Sequence, residues 1–345
     1  MNNAVGYATC EECSAIIASR ADSPIISTSN SPEDYVMFAP PQLIETEVFA
    51  ALPQSLRKTH VPAERIAAGG GGIPAGSFLE GPSFDRAGNL YVVDIPYGRV
   101  FRITPHGKFE VVAEYDGEPN GLRIHQDGRI FIADHKLGIV MLDPASGKIT
   151  PVVTRYHREH FKGVNDLTFA SNGDLYFTDP PYGLPKQEND TSREMDFSGV
   201  FRLSKDGKVT LLTKDMTRPN GIAFSPDEKL MYISNSDPDH AVWMEFPVKA
   251  DGTFGKGRVF ADVTKNAAAK MPGLPDGMKI DKAGNLFATG PGGIYIFAPD
   301  GKLLGRIDTG QRTANLAWGE DGSTLFITAD MFLCRLKKTT KGEGF

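Results

Sequence analysis

Short runs of apolar residues, bounded by glycine, proline and aspartate, recur along this chain in one repeated pattern. Each copy is a run ending in an apolar residue, a tight turn, then a β-rich strand. The six copies read DRAGNLYVVD from Asp85, HQDGRIFIAD from His125, ASNGDLYFTD from Ala170, SPDEKLMYIS from Ser225, DKAGNLFATG from Asp281 and GEDGSTLFIT from Gly319. A further strand follows each: GRVFRIT, GIVMLDP, GVFRLSK, AVWMEFP, GGIYIFAP and MFLCRLKK. In the first copy a fourth, FEVVAEY, comes next. Copies are spaced by about 40 to 55 residues, and no 3.6-residue periodicity is sustained. Four strands in a period of this length predict an all-β, six-bladed β-propeller of four-stranded antiparallel blades.

The sixth copy runs out of chain after its third strand, which would leave a sheet edge unpaired. TEVFAAL, from Thr46, is the one unassigned run of strand quality. It is predicted to complete the last blade and so join the two chain ends; an independent surface strand over residues 46–51 is the alternative. Residues 1–40, rich in Ser, Ala, Asn and Pro, read as an N-terminal extension, and 41–345 as a single propeller domain. The glycines at 69–72 lack the Lys-Ser/Thr of a phosphate loop and read as a connector.

Composition narrows the function classes. The 37 glycines and 24 prolines supply the many turns that a repeat of short strands needs. A net charge of −6 argues against a nucleic-acid groove. No apolar run is long enough to predict a membrane span, and no secretory signal is visible, so a cytoplasmic protein is expected. Three cysteines make no disulfide framework. Cys10 and Cys13 form a lone C-x-x-C read as incidental, and Cys334 is expected in a buried strand.

The candidate chemistry lies at one offset. Eight residues before the turn positions Gly88, Gly128, Gly173, Glu228, Gly284 and Gly322 stand Glu80, Asn120, Asn165, Asn220, Asp276 and Ala314. In a radial array these positions begin the innermost strands and meet at the axis. Glu80, Asn165, Asn220 and Asp276 offer two carboxylates and two amide oxygens, with no thiolate or histidine. Such hard donors favour one divalent cation, Ca²⁺ first, with Mg²⁺, Mn²⁺ or Zn²⁺ as alternatives and a structural zinc site disfavoured. A second reading stays open here. PNG at Pro119, PNG at Pro219 and PDG at Pro275 are also what inter-blade turns look like. Glu80, a poor turn former, and VND at Val164, which lacks the glycine, fit that reading less well.

EGPSFDRAGNLYVVD, GVNDLTFASNGDLYFTDPPYG, RPNGIAFSPDEKLMYIS and LPDGMKIDKAGNLF resemble the senescence-marker-protein/gluconolactonase family. The likeness spans roughly residues 75 to 330 and keeps the order E-G-P, N-D, P-N-G, P-D-G. It implies a six-bladed propeller with one catalytic divalent metal, usually calcium, in the tunnel. It also implies hydrolysis of a small lactone, such as a sugar lactone. By this resemblance Glu80, Asn165, Asn220 and Asp276 are the metal ligands, Asp276 is also the base, and Asn120 lines the tunnel. Asp276 as nucleophile is the rival mechanism. A fluorophosphatase-like hydrolase and a non-catalytic, calcium-plugged binding propeller are the rival functions.

Other residues are candidate substrate contacts. The loop from Asp179 to Gly199, DPPYGLPKQENDTSREMDFSG, is long enough for a lid or substrate wall. Tyr182 and His135 could touch substrate from such loops, or simply pack within them. Arg218 could bind an anionic group or stay solvated. Asp166 could orient the site or cap a turn. His157 and His160 read as surface residues, and no G-x-S-x-G or Ser–His–Asp arrangement appears.

Overall fold

The computed structural model describes residues 42–58, 76–337 and 340–343. The expectations for residues 1–40, for Cys10 and Cys13 and for the glycines at 69–72 lie outside them. The described chain forms six antiparallel blades. Blade 1 comprises Leu79–Phe84, Leu90–Asp94, Arg99–Ile103 and Phe109–Glu114, from the axis outward. Blade 2 comprises Pro119–Ile124, Ile130–Asp134, Gly138–Asp143 and Lys148–Val153. Blade 3 comprises Leu167–Phe169, Leu175–Asp179, Gly199–Leu203 and Val209–Thr213. Blade 4 comprises Pro219–Phe224, Leu230–Asp237, His240–Pro247 and Arg258–Asp262. The inner four strands of blade 5 are Met278–Ile280, Leu286–Gly290, Gly293–Phe297 and Leu303–Asp308. Blade 6 comprises Thr313–Gly319, Thr324–Ala329, Phe332–Lys337 and, outermost, Glu47–Ala51. Among the described residues, α-helix is limited to Thr264–Ala268, and no helix is long and apolar enough to cross a membrane.

The strands are apolar on both faces because each blade is sandwiched between two others. In LYVVD of blade 1, Tyr91 and Val93 join a core shared with Leu122, Ile132 and Val140 of blade 2. Leu90 and Val92 point the other way, into a core with Phe326 and Leu333 of blade 6. Side chains alternate along a strand, so a buried strand with two partners must be apolar at every position. That second core also closes the ring, because it joins the last blade to the first.

The closing strand is where the sequence placed it. Glu47 pairs with Arg335, Val48 with Cys334, Ala50 with Leu333 and Ala51 with Phe332. Cys334 is buried in that sheet. A second clasp was not foreseen: Gln42–Glu45 runs parallel to Leu303–Asp308 as a fifth strand on blade 5. The polar, alternating QLIE gives little strand signal by itself, and pairing with an available edge decides its conformation. The chain thus ties the outer edges of blades 5 and 6 before entering blade 1. Phe49 stacks edge-on against Phe326 at 5.2 Å. Phe49→Ala is therefore expected to lower stability by about 2 kcal/mol, read as a reduced denaturation midpoint with an unchanged m-value.

Candidate metal centre

In blades 1, 2, 4 and 6 the innermost strand breaks its ladder where the offset residue stands, whereas in blades 3 and 5 Asn165 and Asp276 stand just ahead of the strand. In blade 1 the pairing runs Glu80↔Val93 and then jumps to Ser83↔Tyr91. Blades 2, 4 and 6 shift likewise after Pro119, Pro219 and Thr313. Such a bulge re-aims a side chain out of the regular alternation, and here it turns the offset residues toward the hub. Pro119–Gly121 and Pro219–Gly221 lie within strands, so the turn reading of PNG does not hold. Gly121 and Gly221 are also outside the left-handed region. Their role is close approach. The Gly121 N–H donates to Asn165 O at 2.7 Å, and a Cβ on Gly121 would sit 2.7 Å from that same oxygen. A Cβ on Gly221 would collide with the Asp276 carbonyl, and Gly277 N–H donates to Ala314 O at 2.9 Å. Neighbouring site peptides therefore touch, and 200 residues of sequence separation collapse onto one ring.

At that ring the predicted donors converge. Glu80, Asn165 and Asn220 are buried, whereas Asp276 is partly open. Glu80 Oε1, Asn165 Oδ1 and Asn220 Oδ1 are buried oxygens with no hydrogen-bond partner. Their other polar atoms are engaged. Asn220 Nδ2 donates to Ser236 Oγ at 2.9 Å, and Glu80 Oε2 accepts from Asn315 Nδ2 at 3.0 Å. Burial raises the Glu80 carboxyl well above its usual range, and the charges of Asp276 and Asp166 add to it. Asp276 is raised to about 8, by burial first and by Asp166 next, with Arg312 and Asn220 opposing. Three carboxyl groups thus face one another. Among the described residues no group of three His, Cys, Asp or Glu forms a metal cluster; the converging set is two carboxyls and two amides.

Two residues beside the offset positions are more central than the sequence suggested. Asp166 Oδ1 accepts from its neighbour Leu167 N at 2.8 Å, while Oδ2 lies 3.4 Å from Asn315 Nδ2. Asn315 donates to both Glu80 and Asp166, and its Oδ1 accepts from Lys279 Nζ at 3.2 Å. Both residues follow an offset position by one, which a strict eight-residue count passes over.

The walls come from loops after the second strands. His135 Nε2 lies 3.1 Å from Asn120 Nδ2 and 3.5 Å from Asn165 Nδ2. Amide nitrogens only donate, so Nε2 accepts and the ring is neutral; burial also lowers its pKa to about 4. Tyr182 stands 6.0 Å from His135, ring to ring, and burial raises its phenol. Arg218 is held by Glu188 of the long blade-3 loop, with Nε–Oε1 at 2.5 Å and Nη2–Oε2 at 3.2 Å. The same loop is pinned by Glu194 to His160 at 2.6 Å and by Ser198 to Lys162 at 3.2 Å. It is a fastened wall, and His157 and His160 are exposed as expected.

A repeated staple holds the site strands, and the sequence reading passed it over. Asp94, Asp134, Asp179 and Asn235 are buried at or near the ends of second strands. Each accepts from the peptide N–H two residues before a site residue: Phe78, Glu118, Gly163 and Arg218 respectively. The signal was present as the terminal aspartate of LYVVD, IFIAD and LYFTD. Only the fold shows that it fixes the entry of the neighbouring strand, because a buried peptide N–H must find an acceptor.

Comparison with known proteins agrees with this architecture. The sequence profile described as "SMP-30/Gluconolactonase/LRE-like region" matches residues 78–330. The chain is 39% identical over 282 residues to a gluconolactonase from Zymomonas mobilis, covering 76% of this chain and 79% of that one. It superposes on a gluconolactonase structure from Xanthomonas campestris with a TM-score of 0.68 at 31% identity, covering 76% and 86% of the two chains. It is also 26% identical over 274 residues to the diisopropyl-fluorophosphatase of Loligo vulgaris, covering 72% and 84%. With a profile spanning most of the chain and a six-bladed ring to match, this protein belongs to the SMP-30/gluconolactonase/LRE-like family.

Proposed function

We propose that the chain is a divalent-cation-dependent lactonase whose cation is held by Glu80, Asn165, Asn220 and Asp276. One observation carries the reading: Glu80 Oε1, Asn165 Oδ1 and Asn220 Oδ1 are buried, partnerless and all oxygen. A buried acceptor without a donor costs about 1–3 kcal/mol, so three at one hub call for a shared ligand. Oxygen donors with two carboxylates suit Ca²⁺ first, and four protein oxygens leave positions for water and substrate. When bound, the cation would act as a Lewis acid on the lactone carbonyl and stabilise the charge that develops there.

The protein groups do the rest. Asp276, the partly exposed member of the set, accepts the proton of the attacking water. The acyl C–O bond then breaks, the proton held by Asp276 passes to the departing ring oxygen, and the ring opens to a hydroxy acid. His135 fixes the Asn120 and Asn165 amides from one side, and its neutral ring and Tyr182 wall the substrate. Arg218, tied to Glu188, is best suited to holding the blade-3 loop against the mouth.

The test is lactone hydrolysis by the full chain on a pH indicator, across sugar, aliphatic and aromatic lactones. Activity is expected to fall to background with a chelator and to return with excess Ca²⁺. No turnover on any lactone would refute the reading, and cleavage of a fluorophosphate alone would move it to the activity named for the squid relative.

A further inference from the structure

The inner strands lead from the candidate metal centre to the other mouth of the tunnel. There a cavity of about 760 Å³ is lined by residues from all six blades. Three positions beyond Glu80, Asn120, Asn165, Asn220, Asp276 and Ala314 stand Ser83, Arg123, Thr168, Ala223, Lys279 and Ala317. All six line this cavity. The first ring of the hub is acidic and amide-rich; the second carries two cations, two hydroxyls and no carboxylate. This contrast stands out in a chain of net charge −6.

Among the described residues neither cation forms an ion pair. Lys279 Nζ donates to Met278 O at 2.9 Å and to Asn315 Oδ1 at 3.2 Å, both uncharged acceptors. Among the described residues the Arg123 guanidinium has no ion-pair or hydrogen-bond partner, although it is only partly exposed. Burial first, and then the charge of Arg123, lower the Lys279 pKa to about 7, with Asp166 and Glu80 opposing. Carboxylates do line the rim, but none of them pairs with Arg123 or Lys279. Asp85 accepts from Ala87 N and Asn89 N, Glu228 from Ser171 and Glu320 from Thr324. Glu343 sits at the lip on the chain's last described segment, exposed.

We propose that this opposite mouth is a second binding site, taking a small oxyanion, a carboxylate or phosphate group, between Arg123 and Lys279. The planar guanidinium offers paired donors that match either group, and the ammonium adds a point charge. Ser83 and Thr168 supply hydroxyls beside it, and the alanines leave it room. The site is separate from the lactonase reading and stands without it. It does touch the same hub, because Lys279 bonds Asn315 and Asn315 bonds Glu80.

The experiment is calorimetric titration of the full chain at fixed ionic strength with inorganic phosphate and, separately, with an aldonate. These arms distinguish a free phosphate from a sugar-acid source of the same chemistry. Saturable binding of at least one anion is expected. It should weaken about tenfold or more in Arg123→Gln and persist in Asp276→Asn, which alters only the metal face. Arg123 has no partner to lose, so Arg123→Gln should melt at the wild-type temperature. Absence of saturable binding for both anions in the wild-type protein would overturn the proposal. So would equal affinity in wild type and Arg123→Gln, or binding lost in Asp276→Asn and kept in Arg123→Gln.

Discussion

Asp276→Asn is expected to lower kcat/KM for lactone hydrolysis by about a thousandfold or more, with the far-ultraviolet circular dichroism unchanged. The substitution keeps shape and one oxygen donor but cannot accept a proton. Asp276 is the one member of the converging set that is partly exposed, so it alone can reach both the hub and an incoming water. Burial first, and then the charge of Asp166, raise its pKa, and its own charge adds to the rise at Glu80. Removing that charge also removes half of the carboxylate charge available to a dication. The second readout is therefore Ca²⁺ affinity by calorimetry, which should fall alongside activity. Full activity in this variant would take Asp276 out of the proposed mechanism. Oxygen-18 labelling in a single turnover then separates base from nucleophile, because label derived from the enzyme appears in product only if the carboxylate attacks.

Gly221→Ala should cost about 3 kcal/mol of stability and abolish cation binding together. The added Cβ would strike the Asp276 carbonyl and come within 2.8 Å of the Gly277 Cα. Both obstacles are backbone, already fixed by Asp276 O accepting from Ser234 Oγ at 2.8 Å and Gly277 N donating to Ala314 O. No rotamer change relieves such a contact, so blades 4 and 5 must part at the hub. Asn220 and Asp276 ride on the two peptides that separate, which couples the stability loss to the site. Gly207→Ala is the matched control: its Cβ meets nothing within 4 Å, although φ of 85° makes it mildly strained. A chemical denaturation series with and without Ca²⁺ reads both effects. A Gly221→Ala protein with wild-type midpoint and wild-type Ca²⁺ response would contradict the close-packed hub.

The sequence by itself determined the fold. Six copies of one phrase, in blades of four strands, admit few closed arrangements, and the strand lacking from the sixth pointed to TEVFAAL as the clasp. The candidate donors rest on the same ground: equal offset in a radial repeat means equal distance from the axis. Tertiary structure alone decided what those residues touch. It showed that PNG is strand and hub contact, because the glycine's purpose is set by a neighbouring blade that local sequence cannot describe. It brought Asn315 against Glu80 and Asp166 through a one-residue bulge that a count of positions does not register. It spent Arg218 on Glu188, turned the terminal aspartates into acceptors for buried peptide groups, and paired QLIE with an edge of blade 5. Periodicity is a property of the chain and survives in one dimension, whereas hydrogen-bond partners and charge neighbours exist only once the ring has closed.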